Sequence, residues 1–239
     1  MSGWKAKRFW KTVTVEDADG GFRVLLDTRP VRTPAKTLLA LPTRALALAV
    51  ADEWRAVKAE VDPRQMPVTR GANAALDKVT PQFEEVAGLI AAYGGSDLLC
   101  YRAVGPEELA LAQAAAWDPM LDWAASRLGA PLLVTQGIAP VAQPPASLEN
   151  LAGHVFACTP FQLTALHDLV SLSGSLVLGL AATTDDFAID QLWLLSRFDE
   201  EWQSRLWGED DEASAIADKK RKDFLRAWHF WKYSTLLAE

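Results

Sequence analysis

Cysteine and histidine are scarce in this sequence, and each scarcity excludes something. Cys100 and Cys158 lie far apart with no CxxC spacing, which argues against a disulfide framework or a thiolate zinc site and makes a reducing cytosol the default compartment. The three histidines, His154, His167 and His229, have no His or Cys at ligand spacing, so a metal site would have to assemble from distant residues. There is no GxxxxGK phosphate loop, because neither GGFRV nor YGGSD is followed by the lysine and helix that phosphate binding requires. SLSGSLVLG is not GxSxG and follows a helical pattern; Ser173, Gly174 and Ser175 read instead as a helix break, a close helix contact and a cap for the next helix.

Basic charge is also in deficit. A formal net charge of −7 argues against nucleic acid as the main partner, since phosphate binding requires clustered Lys and Arg. No apolar run is long enough to span a membrane, and the start, MSGWKAKRFWK, lacks the apolar core of a signal peptide, so neither secretion nor membrane insertion is expected. Carboxylates are plentiful, but Asp199, Glu200 and Glu201, like Asp210, Asp211 and Glu212, are consecutive. On a helix such neighbours point 100° apart, so these runs are not preformed acid/base pairs.

What the sequence does have is tryptophan, ten of them, with 50% apolar residues overall, enough to build a substantial core. The first forty residues are strand-like. In KTVTVEDADGGFRVLLD an Asp-Gly-Gly turn signal separates β-branched segments, which predicts a hairpin of Val13 to Val15 with Phe22 to Leu26. TRPVRTPAKTLLALPT follows as a second hairpin-like unit punctuated by prolines, where Arg29 and Arg32 suit an interface or merely a charged strand edge.

At Thr43 the periodicity changes. Leu46, Val50, Trp54 and Val57 make a helical stripe between Pro42-Thr43 and Asp62-Pro63, and Trp54 reads as core. Further helices are predicted to open at Thr80-Pro81, at Pro106, at Asp118-Pro119 and at Thr159-Pro160. Residues 129–147 carry Pro131, Pro140, Pro144 and Pro145 and predict a connector of short extended pieces. The expectation is an α+β protein, with a small β-rich N-terminal domain over 1–42, its boundary extending to about 70, and a larger all-helical domain over 43–239. The tail DKKRKDFLRAWHFWKY predicts a helix from about Ala213 whose Phe224, Trp228 and Trp231 form a stripe, packed on the helical domain or lying at a membrane surface.

The segment Ser196 to Ala213, SRFDEEWQSRLWGEDDEA, concentrates tryptophan and carboxylate. Read as one helix, Leu195, Phe198, Trp202 and Leu206 form a core stripe, while Trp193, Arg197, Glu200 and Ser204 fall on the opposite, exposed side. Glu201 and Arg205 stand at i, i+4 in the favourable order. Gly208 ends the helix, and Glu209 to Glu212 supply negative charge to the start of the next. An indole beside Arg197 and Glu200 on a charged face has the composition of a protein-binding surface.

Several blocks resemble one family, the assembly chaperones that escort the unassembled alpha subunit of the catalytic sector of F-type ATP synthase. They are RFWKTVTV, LLDTRPVRTPAKTLLALPT, ADEW, MPVTRGANAALD, DLLCYRA, WDPMLDW, SGSLVLGLA and DEEWQSRLWGEDDEA, in the family's order from Arg8 to Ala213. The resemblance implies a β-rich domain followed by a helical one, no catalysis and no cofactor; apart from it, the expected state is a monomer that pairs one to one with its client. The resemblance also implies binding of free alpha subunit until a beta subunit replaces it, in the bacterial cytoplasm, or in the mitochondrial matrix for a eukaryotic member. The family's acidic E-x-x-Q position falls on Glu200, with Gln203 as the glutamine. With Trp193, Arg197 and Ser204, and with Trp207 and Asp210 from the WGEDDEA turn, these form the expected partner-binding set. The competing classes are a hydrolase built on scattered acids and His167-Asp168, which lacks any motif joining nucleophile, base and oxyanion donors, and a generic holdase for unfolded chains.

Overall fold

A computed structural model describes residues 7–208 and 210–235. The fold is α+β, with three strands near the N-terminus and mostly helices after them. Two compact units emerge, one made of Met1–Phe83 with Thr159–Ala165 and His229–Glu239, the other of Glu84–Cys158 with Leu166–Trp228.

In the first unit the expected hairpin forms from β1, Val13–Ala18, and β2, Gly21–Leu26, in a register that pairs Val13 with Leu26 and Ala18 with Gly21. The turn works because Gly20 takes a φ of 81°, open to glycine at little cost. A two-residue strand β3, Arg29–Pro30, extends the sheet. The following prolines lead to a return segment in which Leu39 donates to the Val31 carbonyl at 3.1 Å and Phe22 and Leu41 exchange backbone bonds at 2.8 Å. The second hairpin-like unit is therefore present.

Helix α1, Arg44–Ala56, begins where the periodicity changes, with the Thr43 hydroxyl accepting from the Leu46 amide at 3.1 Å. Its buried face is Leu46, Ala47, Val50 and Ala51. Glu53, on the same helix, accepts from the amides of Val68 and Thr69 at 2.7 Å each, and so caps α2, Pro67–Ala74. The core joins Trp10, Val24, Leu39, Leu41 and Leu46 to Phe161 and Phe230, whose rings stack at 6.5 Å. Trp54 packs half-buried against this core, edge-on to Trp10 at 5.2 Å. Gly71 is fixed by close approach, since a Cβ there would meet the Phe230 ring at 2.8 Å.

The remaining elements are α3, Phe83–Ala91; β4, Tyr101–Arg102; α4, Glu107–Arg127; β5, Thr135–Gln136; α5, Pro145–Phe156; α6, Pro160–Ser173; α7, Leu176–Ala181; α8, Ile189–Ser196; α9, Phe198–Trp207; and α10, Asp211–Thr235. The proline-rich connector does contain an extended piece, β5, parallel to β4. Thr159 and Gln162 form a reciprocal cap before α6, each side chain accepting from the other's amide at 3.3 and 2.8 Å. Gly174 takes a φ of 72° at the break after α6, and Ser175 caps α7 by accepting from Leu178 at 3.0 Å.

One boundary is corrected. Asp118-Pro119 opens no new helix: α4 runs unbroken through Pro119. An interior proline costs about 3 kcal/mol. On either side of it, Trp117, Met120, Leu121 and Ala124 are all buried in one core, and burying each large side chain contributes roughly 1.5–3 kcal/mol. Packing outweighs the lost hydrogen bond. Asp118 is drawn instead to Arg102, at 2.6 Å.

A buried carboxylate organises this second unit. Asp97 accepts from the Leu99 amide through one oxygen and from the Val177 amide through the other, both at 3.0 Å, and so joins the DLLCYRA and SGSLVLGLA segments. Burial pushes its pKa above the usual carboxylate range, against the opposing pull of the backbone amides.

Candidate functional site

The segment expected to be one helix is two. Residues 189–196 and 198–207 are separate helices joined at Arg197, whose φ of −109° and ψ of 13° leave the helical region while its amide bonds to the Leu194 carbonyl at 3.1 Å. The Ser196 hydroxyl donates to the Trp193 carbonyl at 2.7 Å, an alternative partner for the backbone at the point of the break.

The break changes which side chains face outward. Trp193 is corrected from exposed face to core: it is 4% exposed and lies against Phe224 at 5.5 Å between ring centroids. Leu206, expected in the core stripe, is 59% exposed. Leu195 and Phe198 do pack on the core, and Trp202 is half-buried. Among the described residues the ion pair of this segment is Arg197 with Glu200, at 2.5 Å, whereas the expected pair of Glu201 with Arg205 does not form.

The other expected site residues lie as follows. Arg197 is largely covered, its guanidinium 6.0 Å from the Trp193 ring and its Nε buried with no partner. Glu200 and Gln203 are exposed, Ser204 is half-buried, and Trp207 is 79% exposed. Asp210 is exposed and caps α10, accepting from the amides of Glu212 at 2.8 Å and Ala213 at 3.3 Å. Its charge therefore has a local structural use. Glu209, expected to add helix-start charge, lies outside the described residues.

α9 is anchored at its first turn and only partly covered beyond it. Trp117 donates to the Leu195 carbonyl at 3.0 Å and meets the Phe198 ring edge-on at 5.9 Å. Buried Gln113 accepts from the Ala103 amide at 2.7 Å and donates to Asp199 at 2.6 Å. Beyond these anchors, none of the ten residues of α9 is buried, although Phe198, Trp202, Leu206 and Trp207 are among them. Leu194 on α8 is 58% exposed, and sequence reasoning missed both it and Leu206 as surface residues. An apolar groove of about 260 Å³ is lined by Ala116, Leu194, Leu195 and Phe198, with Glu201 and Arg205 among its polar neighbours. A second cleft, of about 300 Å³, has Trp117, Arg197, Glu200 and Lys220 on its walls.

The arrangement has the anatomy of a contact surface, with exposed leucine and tryptophan next to charged groups. Among the described residues, the groups named for the rival hydrolase lie as follows. His167 Nδ1 contacts the adjacent Asp168 at 2.9 Å with both side chains more than half exposed, and that contact raises the imidazole pKa. Burial pushes the Cys100 thiol up to about 12 and the Cys158 thiol to about 11, the opposite of nucleophile activation. Among the described residues no group of three or more His, Cys, Asp or Glu is placed to hold a metal, and no helix is long and apolar enough to cross a membrane.

Comparison with known proteins identifies the family. The family described as ATP12 chaperone protein matches residues 7–125. The crystal structure of Atp12 from Paracoccus denitrificans is 51% identical, with a TM-score of 0.93 over 96% of this chain and 98% of that one. An aspartate-to-lysine mutant of P. denitrificans Atp12p matches at 50% identity and the same TM-score and coverage. The Atu1473 protein of Agrobacterium tumefaciens is 41% identical, with a TM-score of 0.91 over 96% of this chain and 86% of that one. With about half its residues shared with the two Paracoccus structures along nearly its whole length, the chain belongs to the ATP12 family of ATP synthase assembly chaperones.

Proposed function

We propose that the protein binds the unassembled alpha subunit of the ATP synthase catalytic sector and shields its subunit interface until a beta subunit takes its place. The observation that carries this reading is α9, a ten-residue helix with two tryptophans and no buried residue. A free alpha subunit exposes apolar surface that its neighbours in the ring later cover, and such surface promotes aggregation. A chaperone that binds the folded subunit but not the aggregate shifts the population by mass action. Neither ATP nor catalysis is required, and release follows from competition by beta. A bacterial member would meet its client in the cytoplasm, as a monomer pairing one to one.

Glu200, Gln203, Ser204 and Trp207 are the proposed contacts, with Leu194 and Leu206 completing the apolar part. Trp193 and Arg197 support them from beneath, and Asp210 fixes the turn that follows. Pulldown with tagged full-length protein should recover alpha without beta, and added beta should displace it. Glu200→Lys should weaken capture about tenfold or more at physiological salt while leaving the circular dichroism unchanged. Undiminished capture by that variant would move the surface elsewhere, and equal capture of unrelated unfolded proteins would make the protein a generic holdase.

A further inference from the structure

The net charge of −7 conceals a division between the two units. The first unit holds fifteen Lys and Arg against ten Asp and Glu, a surplus of five positive charges; the second holds nine against twenty-one. An acidic protein thus contains a basic unit, and that unit gathers several exposed cations at one place.

The place is the approach to β1. Arg8 directs its guanidinium to backbone carbonyls, of Trp10 at 3.1 Å and of Val57 just beyond α1 at 2.5 Å, so its charge meets the negative end of a helix dipole and, among the described residues, no carboxylate. Phe9 beside it is 60% exposed. The exposed Arg29 lies over the Phe9 ring at 5.6 Å, and among the described residues no carboxylate pairs with it. Lys11 is exposed as well, and its backbone amide is held by Asp27, at 3.0 Å. Arg8 and Asp27 thereby set the frame, while Phe9 and Arg29 present an aromatic face with an exposed cation over it, and Lys11 adds a second exposed cation whose charge the Asp27 carboxylate partly offsets. Arginine over an exposed aromatic is the composition of an interface anchor.

We infer that Phe9, Lys11 and Arg29 form a second docking surface, which takes a carboxylate-bearing segment of the same client subunit. The inference rests on the client reading above but on residues of the other unit. Arg29 pairs with a client carboxylate through its planar donor fork, and an apolar client side chain covers Phe9. Charge complementarity selects the occupant: a basic unit in an otherwise acidic chaperone attracts an acidic face, and such pairs act chiefly on association rate.

The experiment measures association and dissociation of purified alpha subunit on the full-length protein at two salt concentrations. The variants are Phe9→Ala, Lys11→Glu with Arg29→Glu, and Glu200→Lys, each first checked for an unchanged melting midpoint. The double charge reversal should lower affinity about tenfold, mostly through a slower association rate, and flatten the salt dependence. Phe9→Ala should lower it severalfold, mostly through faster dissociation. If the double variant binds as wild type does while Glu200→Lys does not, the second surface is wrong and the client reading stands. If wild type itself does not bind alpha, the client reading fails and takes this partner with it. Two further outcomes overturn the proposal: wild-type self-association that the double reversal abolishes, and binding to vesicles of mixed phosphatidylserine and phosphatidylcholine in place of alpha.

Discussion

Replacing Asp97 by alanine tests the energetic centre of the helical unit. The substitution leaves the Leu99 and Val177 amides without their acceptors in a fully buried site. Each unpaired buried donor costs about 1–3 kcal/mol, so the loss is roughly 2–6 kcal/mol before any offset. Removing a desolvated carboxylate recovers part of that, because an ionised group in a dry site is itself unfavourable. The net expectation is a loss of about 2–4 kcal/mol at pH 7, or a melting midpoint lower by about 5–15 °C. The pH dependence gives a sharper check. Because the folded-state pKa is raised, the native protein holds a proton that the unfolded chain has released between the ordinary aspartate value of 3.8 and the folded value. Wild-type stability from this group therefore falls as pH rises through that window. Alanine has no such term, so the gap between wild type and Asp97→Ala in urea denaturation should be wider at pH 4 than at pH 7. A gap that widens towards pH 7, or a variant melting within a degree of wild type, would refute the reasoning.

The two tryptophans on either side of the Arg197 break should separate stability from binding. Trp193→Ala should cost about 3–5 kcal/mol in denaturant melts, as expected for a buried aromatic, whereas Trp207→Ala should change stability by less than about 0.5 kcal/mol yet weaken capture of the alpha subunit. Both cysteines should resist iodoacetamide at pH 7 in the native protein and react on unfolding, since burial holds their thiols at about 12 and about 11; native-state labelling as fast as that of free cysteine would contradict this. His167, with its raised pKa, stabilises the fold below the ordinary value of 6.5 and loses that contribution as pH rises through its folded value. The pair is more than half exposed, so His167→Gln should reduce stability at pH 6 by only a few tenths of a kcal/mol and leave pH 9 unaffected.

Much of the fold was legible because local chemistry and tertiary structure agree. Asp19-Gly20-Gly21 demands a tight turn and makes one, Thr43 caps the helix that its position announces, and Ser175 does the same for α7. Pro119 was misread because its local signal is real but weaker than the packing on both sides of it. The two glutamate and aspartate anchors, Glu53 on the amides of α2 and Asp97 on Val177, join segments separated by 15 and 80 residues. No periodicity reports such contacts.

The helical character of the candidate segment was legible and its orientation was not, and one residue accounts for the difference. Arg197 is neither glycine nor proline, so nothing at that position punctuates the helical pattern, yet a single non-helical residue rotates everything after it relative to everything before. Trp193 thereby enters the core, where it gives the Arg197 guanidinium a ring to lie over, and Arg197 in turn orients Glu200. Leu206 leaves the expected core stripe and joins Trp207 at the surface. The same break thus converts an ordinary amphipathic helix into an anchored support followed by an exposed one, which explains why aromatic and acidic residues are crowded together there. Stability uses the tryptophan before Arg197, and the partner, on the reading proposed here, meets the one that ends α9.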